Sequence, residues 1–166
     1  MNFQNYQAEI EKFCIYPEIG QMGIVYPVLG LIGEIGEAFL DRDGFPNIKV
    51  DIFELGDVFF YATRVLSHLN RTYHPSNKKQ RNTLNQSILS VVQSATVISE
   101  ATKKLLRDNN LEKIDTIFDE TFYIFGELCN IAHVHGFNVE EVLDTNHNKL
   151  QDRLNRDVIK GDGDNR

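Results

Sequence analysis

Two pairs of acids, Glu34 with Glu37 and then, after sixteen intervening residues, Glu54 with Asp57, are the residues of this chain best placed to do chemistry. Side chains three apart on a helix share a face, with about 5 to 6 Å between Cβ atoms. Each pair is therefore a claw of two carboxylates. The second pair is the more informative because of its surroundings. Its polar stripe of Glu54, Asp57, Tyr61, Arg64 and His68 runs between Phe53 and Phe60 on one side and Val58 and Val65 on the other, with Ile52, Leu55, Phe59, Ala62 and Leu66 behind. A helix this apolar all round is expected to be largely buried.

Buried carboxylates side by side repel one another and lose solvation, so they take up protons or gather around a cation. Oxygen ligands without cysteine or histidine favour Mg²⁺, with Mn²⁺ as the other hard ion, over zinc. The glycines Gly30, Gly33 and Gly36 beside the first claw agree, since each weakens a helix by about 1 kcal/mol relative to alanine. Something is expected to approach that backbone closely.

The elements that must position the claws follow from periodicity and breakers. Met1 to Cys14 reads as a helix, with Phe3, Tyr6, Ile10 and Phe13 at helical spacing, and Ile15 to Pro27 reads mostly as loop. Val28 to Arg42 forms the first acidic helix, with Glu34, Glu37 and Asp41 on its polar side. A turn at Asp43 to Asn47 leads to a second acidic helix from Ile48 to Leu69. The pair is an αα-hairpin that brings the two claws together.

A polar connector, Asn70 to Asn82, carries Arg71, Lys78, Lys79 and Arg81 and reads as a solvated linker. Leu84 to Arg107 and Lys113 to His135 form another long hairpin. A shift of 65 residues lays it on the first, matching Ile52-Phe53 with Ile117-Phe118 and His68 with His133. Under that shift Glu34, Glu37 and Asp57 become Ser99, Thr102 and Phe122, and only Asp119 keeps an acid in place of Glu54. The region 84–135 thus reads as a degenerate repeat that kept the scaffold and lost the metal site. After Gly136, Asn138 and Glu141 make a capping box for a last helix. On that helix Asn146, Lys149 and Arg153 form a stripe of donors suited to an anion such as polyphosphate. The glycine-rich ending 161–166 reads as a disordered tail.

At 166 residues the chain is read as one all-α domain. A net charge of −7 argues against a nucleic-acid polymer as partner, although a local basic cluster suffices for a nucleotide. Cys14 and Cys129 make neither a disulfide framework nor a zinc spacing, and no signal segment or membrane-spanning apolar run is evident. A cytoplasmic protein without membrane attachment is expected.

The pattern Glu34-x-x-Glu37 then Glu54-x-x-Asp57, set in Tyr26-Pro27-x-Leu29-Gly30-Leu31-x-Gly33-Glu34-x-Gly36-Glu37, resembles the MazG-type all-α nucleoside triphosphate pyrophosphohydrolases. Asn146-x-x-Lys149-Leu150 and the ending Gly161-Asp162-Gly163-Asp164-Asn165-Arg166 are similar to MazG-like proteins of phages and bacteria, so the resemblance covers about Tyr6 to Asp57 and Phe137 onward. It implies a four-helix-bundle-like fold and Mg²⁺-dependent cleavage of a nucleoside triphosphate into monophosphate and pyrophosphate. It further implies that Glu37, Glu54 and Asp57 hold metal, and that Glu34 holds a second metal or activates water. Asn146 and Lys149 would then hold phosphates, with Arg153 adding charge and Arg166 closing over substrate. The middle section, about Asn70 to Glu120, is an insertion relative to short single-hairpin members. If it packs on the first hairpin, one chain makes the bundle that short members build from two subunits, as suggested for dimeric dUTPases. A homo-oligomer, a dimer, is expected.

Two other readings use the same residues. A non-catalytic nucleotide- or metal-sensing module would bind without turnover. A di-iron carboxylate bundle needs Glu-x-x-His pairs. The residues three before His68, His133 and His135 are Val65, Asn130 and Ala132, so that signature is missing.

Overall fold

The computed structural model describes residues 1–16, 23–74 and 82–160. Apart from an isolated bridge between Leu40 and Pro46, the regular structure of the described residues is helical: α1 (Phe3–Glu9), prolonged by a 3-10 turn (Ile10–Phe13), then α2 (Val25–Phe39), α3 (Ile52–His68), α4 (Leu84–Asp108), α5 (Lys113–Val134) and α6 (Val139–Asn155). The all-α expectation holds. No helix among the described residues is long and apolar enough to cross a membrane. The tail 161–166 with Arg166, and Lys78, Lys79 and Arg81 of the connector, lie outside the described residues.

Several helix boundaries differ from the periodicity. α2 starts at Val25 rather than Val28 because Pro27 sits in its first turn, where its missing N–H has no intrahelical partner to lose. It ends at Phe39, so Asp41 leaves the acidic stripe. Its Oδ1 instead accepts the N–H groups of Asp43 and Phe45, each at 2.9 Å, and shapes the turn in which Gly44 takes φ +80°. α3 starts at Ile52 rather than Ile48, capped by Asp51, whose Oδ1 accepts the N–H of Phe53 at 2.7 Å. Asn138 caps α6 through the N–H of Glu140, not through the expected reciprocal pair with Glu141. The reciprocal box occurs instead at Thr83 and Gln86, opening α4.

α2 packs against α3 and α4, and α5 packs against the same two, so the two hairpins close a ring of four helices. Adding 65 to the bounds of α2 and α3 gives 90–104 and 117–133, which fall inside α4 and α5. The shift read from the sequence therefore keeps helix on helix. Inside the ring lie Leu55, Val58, Phe59 and Ala62 of α3 with Ile88, Val91, Ile98, Ile124 and Leu128, none of them exposed. An aromatic knot of Phe3, Phe59, Tyr73 and Phe125, with ring centroids from 4.8 to 5.8 Å apart, ties α1 to α3 and α5. α6 lies on α3, with α1 against it. That layer covers one flank of the acidic hairpin.

Candidate metal centre

Carboxylate oxygens of Glu34, Glu54 and Asp57 lie within 4.8 Å of one another, and all three residues are half-buried. α2 contributes the first and α3 the other two, across the packed seam of the hairpin. Hard divalent ions take oxygen ligands at ~2.0 to 2.6 Å, so two ligands of one ion lie at most ~4 to 5 Å apart, which is the scale of this triad. Glu37, also expected as a ligand, is exposed one turn further on and outside this triad. Its charge still reaches Glu34. The Glu34 carboxyl is pushed up to about 7 by burial first, then by Asp57, Glu37 and Glu54, with Lys149 acting in the opposite direction. The chain thus spends stability holding acids together, as a cation site would require.

Asp57 is fixed by α6. Asn146 Nδ2 donates to its Oδ1 at 2.7 Å, and the Lys149 ammonium donates to its Oδ2. Asn146 is fully buried, and its Oδ1 accepts a 2.7 Å hydrogen bond from the hydroxyl of Tyr6, itself fully buried on α1. An ionised Asp57 only accepts, so it turns the NH₂ of Asn146 toward itself and the amide oxygen toward Tyr6, which must donate. Burial and then the charge of Asp57 hold the Tyr6 hydroxyl protonated, well above its usual range. Gly56 makes the approach of α6 possible, since a Cβ there would lie 2.9 Å from Asn146 Cβ.

The donor stripe therefore serves Asp57 in this structure: both polar atoms of Asn146 are engaged within the protein, and Lys149 pairs with the carboxylate. Arg153 is buried on the same helix. Tyr6 was not singled out by the sequence. Gly56, a lone glycine beside Asp57 in an apolar helix, was the available signal of close approach.

Of the three glycines on α2, only Gly30 is explained by a neighbour. A Cβ there would come within 2.2 Å of the Tyr61 ring, whereas Cβ atoms at Gly33 and Gly36 would meet open space. Tyr61 consequently lies across the α2 backbone, and burial, Tyr26, Glu34 and Asp57 all raise its hydroxyl above its usual range. Arg64, read as part of the polar stripe, is instead 1% exposed. It pairs with Glu11 at 2.6 Å and donates to the Tyr16 hydroxyl at 3.0 Å and to Cys14 Sγ at 3.1 Å. Both cysteines are free thiols. In the connector, the guanidinium of exposed Arg71 lies 5.3 Å from the Phe118 ring centroid.

Comparison with models of known protein families, with curated proteins and with solved structures found no match for the chain. The functional reading rests on the residues and their geometry.

Proposed function

We propose that the protein is a Mg²⁺-dependent nucleoside triphosphate pyrophosphohydrolase, with Mn²⁺ able to replace Mg²⁺. The observation that carries this reading is the convergence of Glu34, Glu54 and Asp57 from two helices, with a lysine beside them. Support also comes from the ring formed by α2, α3, α4 and α5, which agrees with the four-helix plan of the MazG-type enzymes the motifs resemble. The homodimer that the resemblance implies belongs to the same proposal.

Glu34, Glu54 and Asp57 would hold the ion, with Glu37, exposed and outside the triad, adding its charge from one turn away. When bound, the ion supplies Lewis acidity toward phosphoryl oxygen and water. Where it does not ligate the ion, Glu34, beside Glu54 and Asp57, is placed to act as general base. It takes the proton of the attacking water as oxygen bonds to phosphorus, the α–β anhydride bond breaks, and pyrophosphate leaves with the bonding electrons. Tyr6 and Asn146 hold Asp57 in one orientation. Lys149 places fixed positive charge where charge grows on the phosphates.

The test is release of pyrophosphate, measured separately from orthophosphate, across a panel of ribo- and deoxyribonucleoside triphosphates with Mg²⁺. Pyrophosphate release that falls at least about a thousandfold in Glu54→Gln and Asp57→Asn supports the enzyme. Metal-dependent nucleotide binding without turnover on any panel member would replace it with the sensing module.

A further inference from the structure

Both oxygens of Asp57 are bonded to α6, and the two bonds are unlike. The one on Oδ1 comes from Asn146, a fully buried amide whose other end is taken by the Tyr6 hydroxyl at 2.7 Å. Asn146 is also packed over Gly56, where a Cβ would lie 2.9 Å from its own. That donor has nowhere to go. The one on Oδ2 comes from the Lys149 ammonium, at the end of a flexible four-carbon stem with its side chain 16% exposed. The same ammonium draws down the proton affinity of Glu34 across the seam. Lys149 thus does for these acids part of what a cation would do.

A divalent ion ligated by Asp57 has to share the carboxylate with these donors or displace one. An ammonium sits about 2.8 Å from a carboxylate oxygen and a hard ion about 2.2 Å, so an ion on Oδ2 meets the Lys149 charge within about 5 Å, and one on Oδ1 within about 7 Å. Like charges at that range repel in a half-buried site. Asn146 is neutral and can stay. Of the two donors, Lys149 is both the one that repels the ion and the one with room to leave.

We propose that Lys149 is a resident counter-ion of the acid centre, which an entering divalent ion displaces from Asp57 Oδ2 and so releases toward the anion that follows. Such an exchange rests on the metal reading of Glu34, Glu54 and Asp57 and adds an order to it, ion first and anion second. It also accounts for the double character of the α6 stripe, whose spacing suits an anion while its bonds serve Asp57. Ion and anion are then coupled through one side chain, and each raises the affinity of the protein for the other.

The test begins with Mn²⁺ binding followed by electron paramagnetic resonance, at a pH above the titration of Glu34. Lys149→Met and Lys149→Gln, which remove the competing charge, are expected to bind Mn²⁺ about tenfold more tightly than the unmodified protein, whereas Lys149→Arg, which keeps it, is not. Calorimetry with inorganic tripolyphosphate supplies the second half. On protein saturated with Mn²⁺, Lys149→Met is expected to weaken tripolyphosphate by about tenfold or more. On protein stripped of divalent ions the same substitution is expected to change nothing, because there Asp57 holds Lys149. Unchanged or weaker Mn²⁺ binding in both charge-removing variants would overturn the exchange while the acid centre stood, as would an equal loss of tripolyphosphate with and without the ion. No saturable Mn²⁺ binding by the unmodified protein, or binding that survives Asp57→Asn, would remove the acid-centre reading and the exchange with it.

Discussion

The hairpins α2–α3 and α4–α5 occupy opposite sides of one ring of helices, and they solve the same packing problem with different side chains. At the position of Asp57 the second hairpin has Phe122, packed on Tyr73 with ring centroids 4.8 Å apart. In place of Glu54 it has Asp119, and in place of Glu34 it has Ser99, both exposed. Thr102, in place of exposed Glu37, is buried. The second hairpin keeps one fully buried acid, Glu127, whose Oε1 accepts from Asn82 at 2.7 Å while its Oε2 has no hydrogen-bond partner among the described residues. The difference lies in what covers each hairpin. α6 and α1 bring Asn146, Lys149 and Tyr6 to the first, so Asp57 has a donor for each oxygen. Asp57 is answered at both oxygens by the covering layer, whereas Glu127, on the hairpin without it, is answered at one oxygen only, by Asn82.

Moving an acid to the second hairpin should break that comparison most severely. Phe122→Asp is expected to lower stability by about 3 kcal/mol, because it removes a packed ring and leaves a charge without donors. Chemical denaturation measures it, and a loss below about 1 kcal/mol would mean that the covering layer is not what admits Asp57.

Removing a donor from the layer over the first hairpin is the next largest change. Tyr6→Phe leaves Asn146 Oδ1 buried without a donor, and is expected to lower stability by about 1 to 2 kcal/mol. Loosening the support of a metal ligand is expected to weaken Mn²⁺ binding about tenfold. Calorimetric titration against Mn²⁺ separates the two effects, since a purely structural role would leave affinity unchanged.

The proton affinity of Glu34 makes the first hairpin pH-sensitive. Its carboxyl is raised to about 7 in the folded protein, against about 4.3 in an unfolded chain. Between those values the folded state holds the extra proton, so stability from this group is greatest below about pH 4 and falls as pH rises toward 7. Ion binding removes that proton. Affinity for Mn²⁺ should therefore climb up to about tenfold per pH unit below 7 and level off above it, and Glu34→Gln should flatten the climb.

The smallest expected effects divide the glycines of α2. Gly33→Ala and Gly36→Ala meet open space and should stabilise the metal-free protein by about 0.5 to 1 kcal/mol each. Gly30→Ala must displace the Tyr61 ring and should destabilise it. Thermal melting of the three variants gives the ranking.

The sequence carried much of this arrangement. Spacing of three, set in an apolar helix, was enough to find Glu34, Glu54 and Asp57, because helix geometry is local and the hairpin turn is short. Glu37 separated from them because sixty degrees around α2 is the difference between facing α3 and facing water, and which way the helix rolls is decided by packing. Pro27 read as a breaker, yet a first turn tolerates proline. Tyr6 read as one more apolar-face residue, since its partner Asn146 is 140 positions away. Arg64 read only as one member of a polar stripe for the same reason: the groups that satisfy it, Glu11, Cys14 and Tyr16, come from the N-terminal segment.

The most direct measurement is a titration of the metal-free protein with Mn²⁺, followed by electron paramagnetic resonance, for the unmodified chain and for Asp57→Asn and Asp119→Asn. The account predicts saturable binding that Asp57→Asn abolishes and Asp119→Asn leaves intact. No saturable binding, or binding indifferent to Asp57, would contradict the assignment of the α2–α3 acids as a metal centre.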